Sequence, residues 1–216
     1  MEIKEVTLFT HNLIAVRNFY SNELELELLE HSGSELCYKA GASQLRFKSI
    51  TGCKPYYHLA FNIPPKLLEE ALKWLKGHAQ LIAWQGKELI DFPNWNARSL
   101  YFYDPVGNIL EFIARQDLPA NSRLDFDRDC ILNISEIGIV NDPVFELQKK
   151  LENEYGVPVF ARQTPNNEFC PMGDDNGLLI VVTAHRNWFP TAVPCKPFPL
   201  QVTFTVDNGQ LYHLTV

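Results

Sequence analysis

Four ionisable side chains stand out because each interrupts an otherwise apolar, strand-like run. Glu5 precedes Val6-Thr7-Leu8, Arg46 lies between Leu45 and Phe47, His58 precedes Leu59-Ala60-Phe61, and Glu111 lies between Leu110 and Phe112. Successive residues of a strand point to opposite faces. If the apolar neighbours pack on one side, Glu5, Arg46, His58 and Glu111 all point to the other, with Gln44 and Lys48 on the face of Arg46. Buried charges need partners. Such a convergence reads as an ion-paired polar interior, with Arg46 bridging Glu5 or Glu111, or as a ligand site.

Other residues could serve a ligand. Tyr56, Tyr57, Trp84, Trp95, Tyr101 and Tyr103 could line a pocket for a planar molecule, although a chain with 12% aromatics places several in its core or at its rim. The run His185-Arg186-Asn187-Trp188-Phe189-Pro190 could bind an anion or an aromatic ring, or be an edge-strand ending with a packed Trp. His11 sits in a turn and takes no role.

Strands must hold these residues, and the pattern supplies them in repeating units. Val6 to Thr10 alternates, Asn12 is a helix cap, and Leu13, Val16, Phe19, Tyr20 and Leu24 form one helical face. Short strands follow over 26–29, 35–40 and 43–48, giving β-α-β-β-β. A second unit has a strand over 57–63, a helix opened by Pro64-Pro65 and stopped near Gly77, and strands over 80–84, 99–103 and 109–114. Its last two strands are joined by Asp104-Pro105-Val106-Gly107-Asn108. In that turn Pro sets φ, Gly takes positive φ, and Asp and Asn bond the local backbone. Residues 118–129 are polar and read as a linker. A third unit follows, with strands over 132–140, 159–162, 169–173 and 178–183 and a helix from Asp142-Pro143 to Tyr155. A fourth begins at Leu200 and supplies little more than one strand. Glu5-Val6-Thr7-Leu8 is similar to Glu136-Ile137-Gly138-Ile139, and Lys54 to Phe61 to Lys196 to Phe204, which points to duplication.

Composition narrows the function classes. With 46% hydrophobic and 21% charged residues, the 216-residue chain is expected to fold into one large or two small domains. A net charge of -7 argues against nucleic acid, which needs clustered Lys and Arg. No signal-peptide pattern opens the sequence and no run is long enough to span a membrane. Five scattered cysteines without a C-x-x-C pair suit reduced thiols, and the expected location is cytoplasmic.

The tandem units, the helix ending in Phe19-Tyr20, and the run Tyr101-Phe102-Tyr103-Asp104-Pro105-Val106-Gly107-Asn108-Ile109-Leu110-Glu111 together resemble the vicinal oxygen chelate superfamily of glyoxalases, bleomycin-resistance proteins and extradiol dioxygenases. The resemblance is close over residues 2–116 and in outline over 131–216. It implies an α+β fold in which tandem β-α-β-β-β modules pair into a cup-shaped mixed sheet, followed by a degenerate third module and a partial fourth. The first lobe is expected over 1–117 (modules 2–50 and 55–116), the linker over 118–129 and the second lobe over 130–216.

The family's ligand positions fall on Glu5, Arg46, His58 and Glu111, where Arg46 cannot bind a metal and Glu5 replaces the usual His or Gln. The implied metal ligands are Glu5, His58 and Glu111, holding a divalent cation such as Mn, Mg, Ni, Zn or Fe. Glu5 and Glu111 are the candidate catalytic carboxylates, and Arg46, Lys48, Tyr101 and Tyr103 the candidate substrate contacts. The implied activity is that of a metal-dependent isomerase, lyase or dioxygenase; the alternative is a metal-free binder of a small molecule or drug. The partner is a small-molecule ligand. Gln201 stands at the position of His58 in the second lobe, which is expected to serve packing, pocket coverage or a homodimer interface. Truncation after Asp129 is expected to leave a folded first lobe that aggregates or loses its dimer.

Overall fold

Alternation of apolar and polar residues produces the strands, and hydrogen bonding between distant ones sets the architecture. The computed structural model describes residues 1–119 and 123–216. The first unit comprises β1 (Glu2–Thr10), α1 (Leu13–Asn18), β2 (Leu28–His31), β3 (Glu35–Ala40) and β4 (Ser43–Ser49). The second comprises β5 (His58–Asn62), α2 (Leu68–Leu75), β6 (Gln80–Ile82), β7 (Ile90–Phe92), β8 (Ala97–Tyr103) and β9 (Ile109–Arg115). The third has β10 (Asn133–Val140), α3 (Val144–Tyr155), β11 (Phe169–Asp174) and β12 (Gly177–Val182), and the last is the hairpin β13 (Leu200–Thr205) and β14 (Leu211–Thr215). In each of the first three units the opening and closing strands are parallel neighbours, as a crossover helix requires.

The helices carry the expected end signals, with one difference. The Asn12 side chain accepts from the Ala15 N–H at 3.0 Å and caps α1. The expected single helix to Leu24 is instead six α-helical residues followed by a π-helical turn over Phe19–Glu23, which buries Phe19 and Tyr20 side by side. Gly156 ends α3 at φ +68°. The strand expected over 159–162 is a single bridge from Val159 to Met172.

The units pair into mixed sheets, but not in chain order. One sheet has six strands in the order β14-β13-β1-β4-β3-β2. The other has eight, in the order β11-β12-β10-β5-β9-β8-β6, with β7 on β8. The second unit is therefore joined to the third, through antiparallel β5 and β10, and the first to the fourth, through antiparallel β1 and β13. The expectation that residues 2–116 close one cup between themselves is corrected. The physical reason lies in the strand faces: β5 is buried along its whole length, so its open edge needs a partner that is itself buried on both faces. β10, buried at all but its first residue, is that partner. Both sheets thus run across the linker expected at 118–129, of which residues 120–122 lie outside the described residues.

The main core fills the space between the sheets and the helices, drawing Leu8, Phe47, Phe61, Phe112, Ile137 and Val181 from both. A second, smaller cluster lies on the opposite face of the eight-stranded sheet and includes Tyr101, Ile109, Ile180, Val182 and Trp188. That face is the interior of the cup.

Candidate functional site

The two inward residues expected on β5 and β9 meet there, with a third from β10. His58 and Glu111 lie on adjacent parallel strands, with His58 opposite Ile109 and Glu111 opposite Ala60. Glu136 also lies opposite Ala60, on the other side of β5. A β-bulge between Ile134 and Glu136 resets the alternation, so Ile134 packs in the core while Glu136 faces the cup. His58 Nε2 is 3.5 Å from Glu111 Oε2 and 3.8 Å from Glu136 Oε2, and all three side chains are buried. One ligand atom from each of the three falls within a set no more than 4.8 Å across.

The surroundings aim one atom of each group inward. His58 Nδ1 lies 3.2 Å from the Ile109 carbonyl, which fixes the ring and leaves Nε2 toward the carboxylates. Arg115, fully buried on the same face of β9, donates from Nη2 to Glu136 Oε1 at 2.5 Å and leaves Oε2 toward His58. Its other donors reach Ser135 Oγ and, at 3.2 Å, Asp175 Oδ1. Trp95 and Phe160 lie on the guanidinium at 5.6 and 5.8 Å.

Charge and burial shift the proton affinities of the pair. Burial, reinforced by the Glu136 charge, pushes the Glu111 carboxyl up to about 7 against the pull of His58. Burial pulls His58 down, but the carboxylates of Glu136 and Glu111 outweigh it and hold the imidazole above its ordinary value. Tyr101, opposite Glu111 on β8, is raised well above its ordinary value by burial and by the two carboxylates.

The donor set fits a divalent cation. One imidazole and two carboxylates suit a hard or borderline ion, and ligand bonds of about 2.0–2.2 Å place neighbouring ligand atoms about 3–3.6 Å apart. The His58–Glu111 separation of 3.5 Å lies in that range, and the His58–Glu136 separation of 3.8 Å is just outside it. In the repeat of the third unit, Ile180 stands where Glu111 stands in the second, so that position offers no ligand.

A cavity of about 220 Å³ opens beside the triad. Tyr101, Trp95, Trp188 and Phe189 contribute aromatic surface to it, and Arg186 contributes a cation. Trp188 lies across Gly138, where a Cβ would come within 2.3 Å of the indole Cη2, and its ring centre is 5.6 Å from that of His58.

The remaining expected site residues lie elsewhere. Glu5 is on β1 in the six-stranded sheet and does not join His58 and Glu111, which corrects the expected ligand set and removes Glu5 from the site as a catalytic carboxylate. It accepts from Arg46 Nε and Nη2, each at 3.3 Å, while Arg46 Nη1 donates to Glu30 at 2.7 Å and Glu35 at 3.3 Å. The ion-paired reading of Arg46 therefore describes this second sheet. Lys48 shares that strand, and Tyr103 packs beside the cup cluster without lining the cavity. Tyr56 and Tyr57 donate to the carbonyls of Pro194 and Pro199. Glu136 and Arg115 were not expected. The repeat relating Glu5 to Glu136 carries the signal for the former, since both residues follow a bulge at the same place in their strands.

Comparison with solved structures matches this arrangement over the whole chain. A candidate dioxygenase from Bacillus subtilis superposes with a TM-score of 0.64 at 15% identity, covering 100% of this chain and 84% of its own. The chain has the vicinal oxygen chelate fold. A glyoxalase I mutant from Zea mays shares the fold with a TM-score of 0.58 at 13% identity, over 88% of this chain and 69% of that one. No family model and no curated protein matches the sequence. Within this vicinal oxygen chelate fold the cup of the second and third units carries the His/Glu/Glu group, while the sheet of the first and fourth carries the Arg46 ion pairs.

Proposed function

We propose that the chain binds a divalent cation through His58 Nε2, Glu111 and Glu136 Oε2 and acts on a small molecule with two adjacent oxygens, as a lyase, isomerase or dioxygenase. The observation that carries this reading is the paired steering described above, with Ile109 holding one nitrogen of His58 and Arg115 one oxygen of Glu136. A bound cation would act as a Lewis acid on the substrate oxygens. The protein's own part is to exclude water with Trp188 and the neighbouring rings, to orient the substrate, and to receive a proton at a Glu111 oxygen. A cytosolic location and a homodimer belong to the same proposal, supported by five unpaired cysteines and by the uncovered edge of β14.

A second reading, a metal-free binder, has one observation in its favour: Arg115 and a protonated His58 can neutralise both carboxylates unaided. Metal content separates the two. His58→Ala and Glu136→Ala are expected to abolish stoichiometric Mn, Ni or Zn, measured by elemental analysis after dialysis, whereas Glu5→Ala keeps it. Wild-type protein that takes up no metal would leave the binder as the reading.

A further inference from the structure

We infer that the cavity takes a small planar carboxylate and that Arg186 is the residue that selects it. This rests on the reading that the cup is the ligand site, but not on whether a metal is present.

The ion pairs around the cup point to an anion. Arg115 is committed to Glu136 and Asp175, at 2.5 and 3.2 Å, which leaves Arg186 as a cation of the cavity lining without an acidic partner among the described residues.

Arg186 is placed to receive it. It lines the cavity, is partly exposed, and has no carboxylate within ion-pair distance among the described residues. Its guanidinium lies 4.8 Å over the Phe169 ring, a contact that positions the group while using none of its five N–H donors. The backbone beneath it is held by the Cys195 N–H, which donates to the Arg186 carbonyl at 2.9 Å. The planar fork matches a carboxylate bidentately.

The rest of the lining suits a flat body. Trp188, Tyr101 and Phe189 present rings to the cavity, and 220 Å³ is below the roughly 300–1,000 Å³ typical of drug-sized ligands.

Benzoate and its neutral isostere benzamide test this on the full chain, by calorimetric titration and Trp fluorescence. Wild-type protein is expected to prefer benzoate by about tenfold or more, the range of a charge-assisted pair. Arg186→Gln is expected to remove the preference by weakening benzoate more than benzamide, and Arg186→Lys to keep part of it. Equal affinities in wild type, a preference that survives Arg186→Gln, or no binding of either probe at millimolar concentration would overturn the inference. Metal content fails separately: a metal-free chain with an Arg186-dependent preference sinks only the metal proposal, and a metal-bound chain without one sinks only this inference.

Discussion

Asp104 shows how one buried carboxyl can tie the turn to the core. Its Oδ1 accepts from the N–H groups of Val106 and Asn108, and its Oδ2 from Tyr20 Oη and Asn108 Nδ2, at 2.7 to 3.0 Å. Burial nevertheless outweighs these donors and pushes the group from 3.8 up to about 6. The folded state then binds this proton more tightly than the unfolded state, so the stabilisation is complete below pH 3.8 and is lost as pH rises to 6. Two units correspond to about 3 kcal/mol. Asp104→Asn removes the titration, so the stability advantage of wild type, measured by urea unfolding, is expected to be largest near pH 4 and to shrink toward pH 7. An advantage that grows over that range would mean that the donors govern instead. At this scale His58 and Glu111 were legible, because each is ionisable within an apolar strand and parity orients both. Glu136 was hidden by the choice of pairing, since the repeat equates it with Glu5 and nothing local says which copy meets His58. Arg115 was hidden too. A strand-terminal Arg is ordinary surface until Ser135 and Asp175, distant in sequence, fold around it.

The strap over residues 184–199 closes the cup with little regular structure. Trp188 N–H donates to the Val193 carbonyl and Thr191 N–H to the Trp188 carbonyl, both at 2.8 Å, and Phe189 packs its ring on Trp84, Phe92 and Tyr101. Its seat is the bare backbone of Gly138. Gly138→Ala would drive the new methyl into the indole, and the displaced ring costs about 1–3 kcal/mol. The expected readout is a lower urea midpoint with red-shifted Trp emission. Combining it with Trp188→Ala should remove most of the penalty, because the clash partner is gone. A penalty that persisted in the double variant would place its origin in the strand itself. Elements with strong punctuation were readable from the sequence, including the Asp104–Asn108 turn, the Asn12 cap and the Gly156 stop. β7, three residues long, and β14 were not, because they are held by register with β8 and β13 rather than by their own pattern.

Across the whole molecule the interleaved pairing changes what either half can do alone. β1 keeps β4 on one side but depends on β13 on the other, and β5 likewise keeps β9 but depends on β10. A chain ending at Asp129 would therefore expose two long strand edges at once. One of them, on β5, is buried on both faces and has no charge to blunt aggregation apart from His58. Glu136, the third member of the site, would be lost with it. This topology argues against an independently folded first lobe. Residues 1–129 are instead expected to be insoluble or to lack near-ultraviolet dichroism, while the full chain unfolds in one cooperative transition by dichroism and fluorescence. Co-expression with 130–216 should recover soluble protein, because the missing strands return in trans. A soluble 1–129 fragment with a native-like spectrum, or two separated transitions in the full chain, would show that the sheets are not the cooperative units their hydrogen bonding makes them.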